Sequence, residues 1–286
     1  MSRGLIAAIT FLAAVVNGAL GYGFSSITVP LALLFLANRV LNPALVVIEV
    51  ALNGYVLWAN RSAIGAVWRR VLPIVVGLAP GIIVGTLIVA HVQPGWLRLW
   101  TFVVILPLIL LQAAGYRRPL RSERFVGLVF GAALGVLYAV TTISGPPLAV
   151  VLSNQGFVLA EFRAALGLIR LAESSLTATS YVAAGLVTPD SLGLIPWIVP
   201  SVVIGVPIGA WLIRRVRAET FRRVCMSFDA WVVAFGISAL LRELGIVESA
   251  AAYLVLLAVA AIDVWLLRRF FASARQSAIR NPKSAI

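Results

Sequence analysis

Two carboxylates sit inside long apolar stretches of this chain, Glu49 within 43–59 and Glu173 within 162–184. A charged carboxylate at the centre of a hydrocarbon layer costs about 2.5–3.5 kcal/mol on insertion scales, so such a group normally has a partner or a task. Arg170 lies three residues before Glu173, the spacing of an ion pair on one helix face. Glu49 has no basic residue within four positions. It must be protonated, paired across helices or wetted by a cavity. Two chemistries are open to these groups. Low dielectric disfavours the charged form of a carboxyl, which can then load and release a proton during transport. The alternative is a structural bond to backbone or arginine, toward which Arg170 points for Glu173; for Glu49 both readings stand.

The second set of chemical residues is a pair of clusters. One reads Gly21-Tyr22-Gly23-Phe24-Ser25-Ser26-Ile27-Thr28-Val29-Pro30, the other Thr141-Thr142-Ile143-Ser144-Gly145-Pro146-Pro147. Glycine and proline interrupt a helix, and a half-helix is expected to resume at Pro30 and at Pro147, since proline suits a first turn. A helix amino end offers free N–H groups and a positive dipole end to anions. Ser25, Ser26 and Thr28, with Thr141, Thr142 and Ser144, add hydroxyl donors. Gly21, Gly23 and Gly145 let backbone approach a ligand closely. These residues, together with Pro30, Pro146 and Pro147, form the expected substrate site for a small oxyanion. The alternative reading is that they allow tight helix crossing and cap their own helices. A carboxylate beside bound anion repels it unless protonated, so anion–proton coupling would follow from Glu49 or Glu173.

The elements that must position these groups are membrane helices. Of 286 residues 62% are apolar and 12% charged, too little polar surface for a soluble domain of this length. Apolar stretches run at 4–37, 43–59, 71–90, 96–114, 125–153, 162–184, 192–213, 224–241 and 251–268. A hydrocarbon core about 30 Å thick takes roughly 20 residues of helix to cross. Seven stretches suit one crossing. A continuous helix over 4–37 would be about 51 Å long. It and 125–153 each carry a breaker cluster, so each is expected to be a broken, re-entrant helix pair. The net charge of +13 would fit a nucleic-acid binder, but the basic residues sit in the breaks between apolar runs. No nucleic-acid partner is expected.

Charge placement gives the topology. Arg61, Arg69 and Arg70, the group Arg117 to Arg124, the group Arg214 to Arg223, and the tail from Arg268 to Lys283 all mark the cytoplasmic side. Three stretches lie between the loops at 115–125 and 213–223, and three single crossings cannot begin and end on one side. A hairpin at 125–153 repairs the parity. An internal repeat agrees: Pro30-Leu31 recurs as Pro147-Leu148, Glu49 as Glu173, and Gly81 and Gly85 as Gly205 and Gly209. The loop at 60–70 is basic and its counterpart at 184–192 is not, and the loop at 213–223 is far more basic than its counterpart at 90–97, which implies inverted repeats. The expected fold is an all-α membrane protein, a polytopic helical bundle in one transmembrane domain over 1–286. Repeat 1 spans about 4–114 and repeat 2 about 125–241, each a broken pair plus three spanning helices. An extra helix follows at 251–268, with a cytoplasmic tail at 269–286 and the N-terminus outside.

Other chemistry is sparse. One cysteine, Cys225, excludes an internal disulfide or a cysteine metal cluster, and the lone His91 reads as an interfacial loop residue. No metal site or cofactor is expected. No paired-Asp, H-E-x-x-H or G-x-S-x-G arrangement appears, so the expectation is a carrier, not an intramembrane enzyme. Asp229, near the basic 213–223 loop, reads as a salt-bridge partner, and Gly77, Gly81 and Gly85 as positions of close helix packing. Arg163, at a helix entrance, reads as an anchor.

On these motifs the chain resembles the TauE/SafE sulfite exporter family, also called the toluene-sulfonate uptake permease family. The resemblance rests on Gly18, Gly21-Tyr22-Gly23 and Pro30-Leu31, on Gly131-x-x-x-Gly135 with Ser144-Gly145-Pro146-Pro147-Leu148, on Phe162-Arg163, and on Gly205-x-x-x-Gly209 before Phe221-Arg222. Tyr22 and Phe24 depart from a first motif that is often richer in glycine. The resemblance implies transport of sulfite, a sulfonate or sulfoacetate across a bacterial inner membrane, with a small anion and membrane lipid as partners. A carrier for a neutral metabolite and a non-transporting accessory subunit are the alternatives. Cargo identity, direction, coupling ion and oligomeric state are left open by the sequence.

Overall fold

The computed structural model describes residues 3–20, 23–113, 124–153, 157, 159–216 and 218–280, and among them every regular element is helical. In chain order the helices are α1 (Arg3–Leu20), α2 (Phe24–Ala32), α3 (Asn38–Ala59), α4 (Ile64–His91), α5 (Pro94–Ala113), α6 (Arg124–Thr141), α7 (Gly145–Ser153), α8 (Leu159–Ala183), α9 (Pro189–Leu192), α10 (Ile195–Leu212), α11 (Ala218–Glu243) and α12 (Leu254–Arg280). Among the described residues five segments are long and apolar enough to cross a membrane: Asn38–Ala59, Arg61–His91, Pro189–Leu212, Thr220–Glu243 and Ala250–Ala272. α8 has the length, at 25 residues, but Arg170, Glu173 and a run of serine and threonine lower its hydropathy. That polarity is what buries it against other helices.

Both long apolar stretches are broken where the glycines and prolines fall. α1 ends at Leu20 and α2 starts at Phe24; α6 ends at Thr141 and α7 starts at Gly145. α2 and α7 have nine residues each, about 13 Å of helix, less than half of a hydrocarbon core. Gly23 holds φ 106°, a left-handed conformation that a side chain resists, and this turn lets α2 begin one residue later. The expected start at Pro30 is therefore corrected: Pro30 lies inside α2. The turn at Gly23 already redirects the chain, so proline is not needed to start the helix. Pro147 does sit in the first turn of α7, as expected, although the helix starts two residues before it, at Gly145.

Packing is closest along two helix pairs, α4 with α6 and α1 with α10. Gly81 and Gly85 meet the backbone at Ala132 and Val136 of α6, while Gly205 and Gly209 meet it at Phe11 and Val15 of α1. A Cβ built on Gly81 would stand 2.0 Å from the Ala132 carbonyl oxygen, and one on Gly209 would stand 1.9 Å from that of Val15. Glycine here lets two backbones touch, as expected for four-residue spacing. α3 crosses α8, and α5 runs against α11, which in turn carries α12. His91 is exposed as the last residue of α4, inside the helix and not in the loop expected for it, and Arg163 is exposed near the start of α8.

Candidate functional site

The crossing of α3 and α8 brings Glu49 and Glu173 to the two helix breaks, within a single buried polar cluster. Glu49 is fully buried and collects three donors. The Ser25 hydroxyl, in the first turn of α2, donates to Oε1. The Tyr138 hydroxyl, near the end of α6, donates to Oε2 at 2.6 Å. Arg170 Nη2 reaches Oε1 from α8 at 3.4 Å. Glu173, also fully buried, accepts one hydrogen bond at Oε2 from Ser144, 2.6 Å away at the head of α7. Each short helix thus presents a serine at its amino end to a carboxylate on the following long helix.

The expected same-helix pair of Arg170 with Glu173 is replaced by a cross-helix one. α3 brings Glu49 to the guanidinium, which pairs with it instead. The α8 backbone is held there, since Asn53 donates to the Arg170 carbonyl at 3.3 Å and Ser174 at 2.8 Å. Four buried polar atoms around the cluster have no hydrogen-bond partner: Arg170 Nε, Glu173 Oε1, Thr28 Oγ1 and Thr177 Oγ1. Thr28 is three residues after Ser25 on α2, and Thr177 is one turn after Glu173 on α8. Leaving such an atom unpaired costs about 1–3 kcal/mol, so the cluster is short of donors and acceptors on both sides.

The break after α6 is secured by residues the sequence reading missed. Where a helix stops, its last carbonyls lose their partners and must find others at membrane depth. Tyr181 of α8 donates to the Ala139 carbonyl. Asn42 of α3 donates to the Val140 carbonyl at 2.8 Å, and Asn38 reaches the same oxygen at 3.4 Å and the Thr101 hydroxyl at 3.0 Å. Asn38 and Asn42 lie in the short polar break between the stretches 4–37 and 43–59, where asparagine reads as an ordinary loop residue, so the sequence carried no signal for this role.

The predicted hydroxyls divide. Ser25 and Ser144 turn to the carboxylates, and Thr28 is buried without a partner. Thr141 Oγ1 instead donates to the Leu137 carbonyl at 2.7 Å and accepts from the Ile143 amide at 3.0 Å. Thr142, at φ 54°, donates to the Thr141 carbonyl at 2.7 Å. Both threonines cap the end of α6. Ser26 faces away from Glu49, into a small cavity against α11. Gly21 lies outside the described residues. The amino ends also differ in donors. The first turn of α2 offers the amides of Phe24, Ser25 and Ser26 without intrahelical acceptors. In α7, Pro146 and Pro147 have no N–H to offer, which leaves the Gly145 amide and the dipole.

Asp229 does not form the expected salt bridge: among the described residues no ion pair or hydrogen bond reaches its carboxyl, which α11 turns toward the amino end of α2, in a cavity that Arg222 also lines. Asp263 is the α12 carboxylate that takes an arginine, Arg223, at 2.8 Å, with Ser227 at 3.2 Å. No group of three metal-ligating side chains occurs among the described residues.

Among known proteins, the family model described as Sulfite exporter TauE/SafE matches residues 6–235. No curated protein and no solved structure matches the chain.

Proposed function

The chain belongs to the TauE/SafE sulfite exporter family, a family of membrane transporters, and from that premise we propose that it carries a small sulfur-containing anion such as sulfite, a sulfonate or sulfoacetate by alternating access. The observation that supports this reading is the cluster where Arg170, two serines and two carboxylates meet the amino ends of α2 and α7. An oxyanion there gains the free amides of α2, the positive ends of two helices and one unpartnered guanidinium nitrogen, Arg170 Nε. The substrate-binding residues are Ser25, Thr28, Ser144 and Arg170, with Gly21, Gly23 and Gly145 giving the backbone its approach and Pro30, Pro146 and Pro147 shaping the short helices. Ser26 lies at the rim. Thr141 and Thr142 act indirectly, by fixing the α6 end.

The architecture of this reading is two inverted repeats, α1–α5 and α6–α11, in one domain, with α12 added and the C-terminus cytoplasmic in a bacterial inner membrane. The reciprocal packing of α1 on α10 and α6 on α4 fits that exchange. So does the difference between the halves: α4 packs along α8, whereas α10 meets α3 sparsely and leaves an apolar groove of about 490 Å³ between Ala51, Tyr55, Val199 and Val203. Closing one of these interfaces while opening the other is the motion alternating access requires.

Proton coupling, in this reading, rests on Glu173. Glu49 is engaged by three donors, whereas Glu173 has one donor and an unpartnered oxygen. A carboxylate so placed repels an arriving anion, and protonation removes the repulsion. The test is uptake by proteoliposomes of labelled sulfite, a sulfonate and a neutral amino acid across a pH gradient. Uptake of the sulfur anions should depend on the gradient, and the neutral solute should be excluded. Glu173→Gln should weaken the pH dependence while sulfur-anion exchange at equal pH continues. Neutral-solute uptake without anion uptake would instead identify a carrier for uncharged metabolites.

A further inference from the structure

α11 carries an acidic side chain that the site described above does not use. Asp229 is 6% exposed and, among the described residues, receives no hydrogen bond and no ion pair. It lines a cavity together with Gly23 and Ser26 of the α2 amino end, Val16 and Leu20 of α1, Ile109 of α5, and Arg222, Cys225 and Met226 of its own helix. The cavity holds about 20 Å³. That is room for one water and too little for a sulfur oxyanion. A buried carboxyl with no protein donor needs a water or a proton.

The position gives the carboxyl a specific physical relation to the cargo. The amino end of α2 carries roughly half a positive charge, which favours one negative neighbour within the first turn. Ser25 turns that end toward Glu49 and the substrate cluster, while Ser26, the next residue, turns it toward Asp229. An anion bound on the cluster side and a carboxylate on the cavity side therefore draw on the same helix end and repel one another. Among the described residues the titratable and charged groups facing Asp229 are Arg222 and Cys225 on α11; α1, α2 and α5 present apolar, glycine or serine residues to the cavity. Arg223 and Asp263, on the α12 side, are engaged with each other.

We propose that Asp229 is a proton-exchanging residue of the transport cycle, taking up a proton through the one-water cavity when an anion binds at the amino end of α2. The cavity water relays the proton from hydronium in bulk solution to a carboxylate oxygen and is itself left as water. Anion binding then weakens as pH rises. This inference rests on the anion site proposed above and adds to it a second protonatable group, separate from Glu173.

The test is isothermal titration of the purified full-length protein with a sulfonate, across a pH series and in buffers of different ionisation enthalpy. Wild type should take up a proton at Asp229 with each anion, and Asp229→Asn should take up about one proton fewer. One linked proton changes the apparent Kd about tenfold per pH unit, so the slope should fall by that amount in Asp229→Asn, while Glu173→Gln removes only its own share. Asp229→Glu should restore the wild-type slope. Unchanged proton uptake in a folded Asp229→Asn protein would overturn the proposal. Should wild type bind no sulfonate, the anion site itself fails, and the carboxyl is then decided by infrared difference spectra after a pH step. A protonated-carboxyl band lost in Asp229→Asn supports proton exchange there; the same spectrum in both proteins refutes it.

Discussion

Arg170→Met should lower sulfur-anion flux by at least about 100-fold and destabilise the protein by about 3–5 kcal/mol. The two effects have different causes. Stability falls because Glu49, fully buried, keeps two hydroxyl donors but loses its opposite charge. Breaking one side of a buried pair leaves an uncompensated ion, which costs more than the pair contributed. Flux falls because the guanidinium supplies the cation of the proposed site. The double variant Glu49→Gln/Arg170→Met separates these causes. Removing both charges should return most of the thermal stability, since Glu49 no longer stands as a buried ion without its arginine. Transport should stay lost. Unfolding of detergent-purified protein and flux at matched protein density read the two quantities. Recovery of flux in the double variant would show that Arg170 serves only to neutralise Glu49.

The other large effect is expected at the backbone contacts. Gly209→Leu would place a Cβ 1.9 Å from the Val15 carbonyl oxygen. The obstacle is backbone on a packed helix, so α1 and α10 must separate along their length. Overpacking of this kind costs about 3 kcal/mol or more when nothing flexible can yield. Gly81→Leu meets the Ala132 carbonyl in the same way and should lose as much. In both cases the yield of monodisperse protein in detergent should collapse. Gly65→Ala is the control. A Cβ there meets nothing within 4 Å. Alanine at that helical position should leave stability unchanged or raise it by up to about 1 kcal/mol. If Gly209→Leu unfolds at the wild-type temperature, the close approach of α1 and α10 is wrong.

Much of this arrangement was legible in the chain, for reasons that differ by residue. The breaks at Gly23 and at 142–144 follow from glycine and proline inside stretches too long to cross once, and helix interruption is a local effect. The approach to Glu49 and Glu173 was legible because a carboxylate in an apolar run must be answered by something. What answered each was not. The Arg170 partnership depends on how α3 crosses α8, a tertiary fact, and sequence spacing favoured the wrong carboxylate. Tyr138, Asn38, Asn42 and Tyr181 escaped for a related reason: three of them satisfy carbonyls freed by a break in another helix, and no spacing within their own helices reveals it. The start of α2 was placed at Pro30 because proline at a first turn is a common signal, but the left-handed Gly23 turned the chain earlier. Asp229 looked like a surface ion-pair partner from its distance to the basic loop. The rotation of α11 decides which face it lies on, and that face is set by packing against α2, α5 and α12.

The account turns on an anion being held where the amino ends of α2 and α7 approach the α3–α8 crossing. Anomalous diffraction from crystals grown with selenite, a sulfite analogue with a heavier central atom, locates that anion directly. One selenium peak within hydrogen-bond reach of Arg170 and the first turn of α2 is the predicted result, with the peak absent in Arg170→Met. Selenium found only among the surface arginines, or none at the crossing in crystals that transport-competent protein yields, would contradict it.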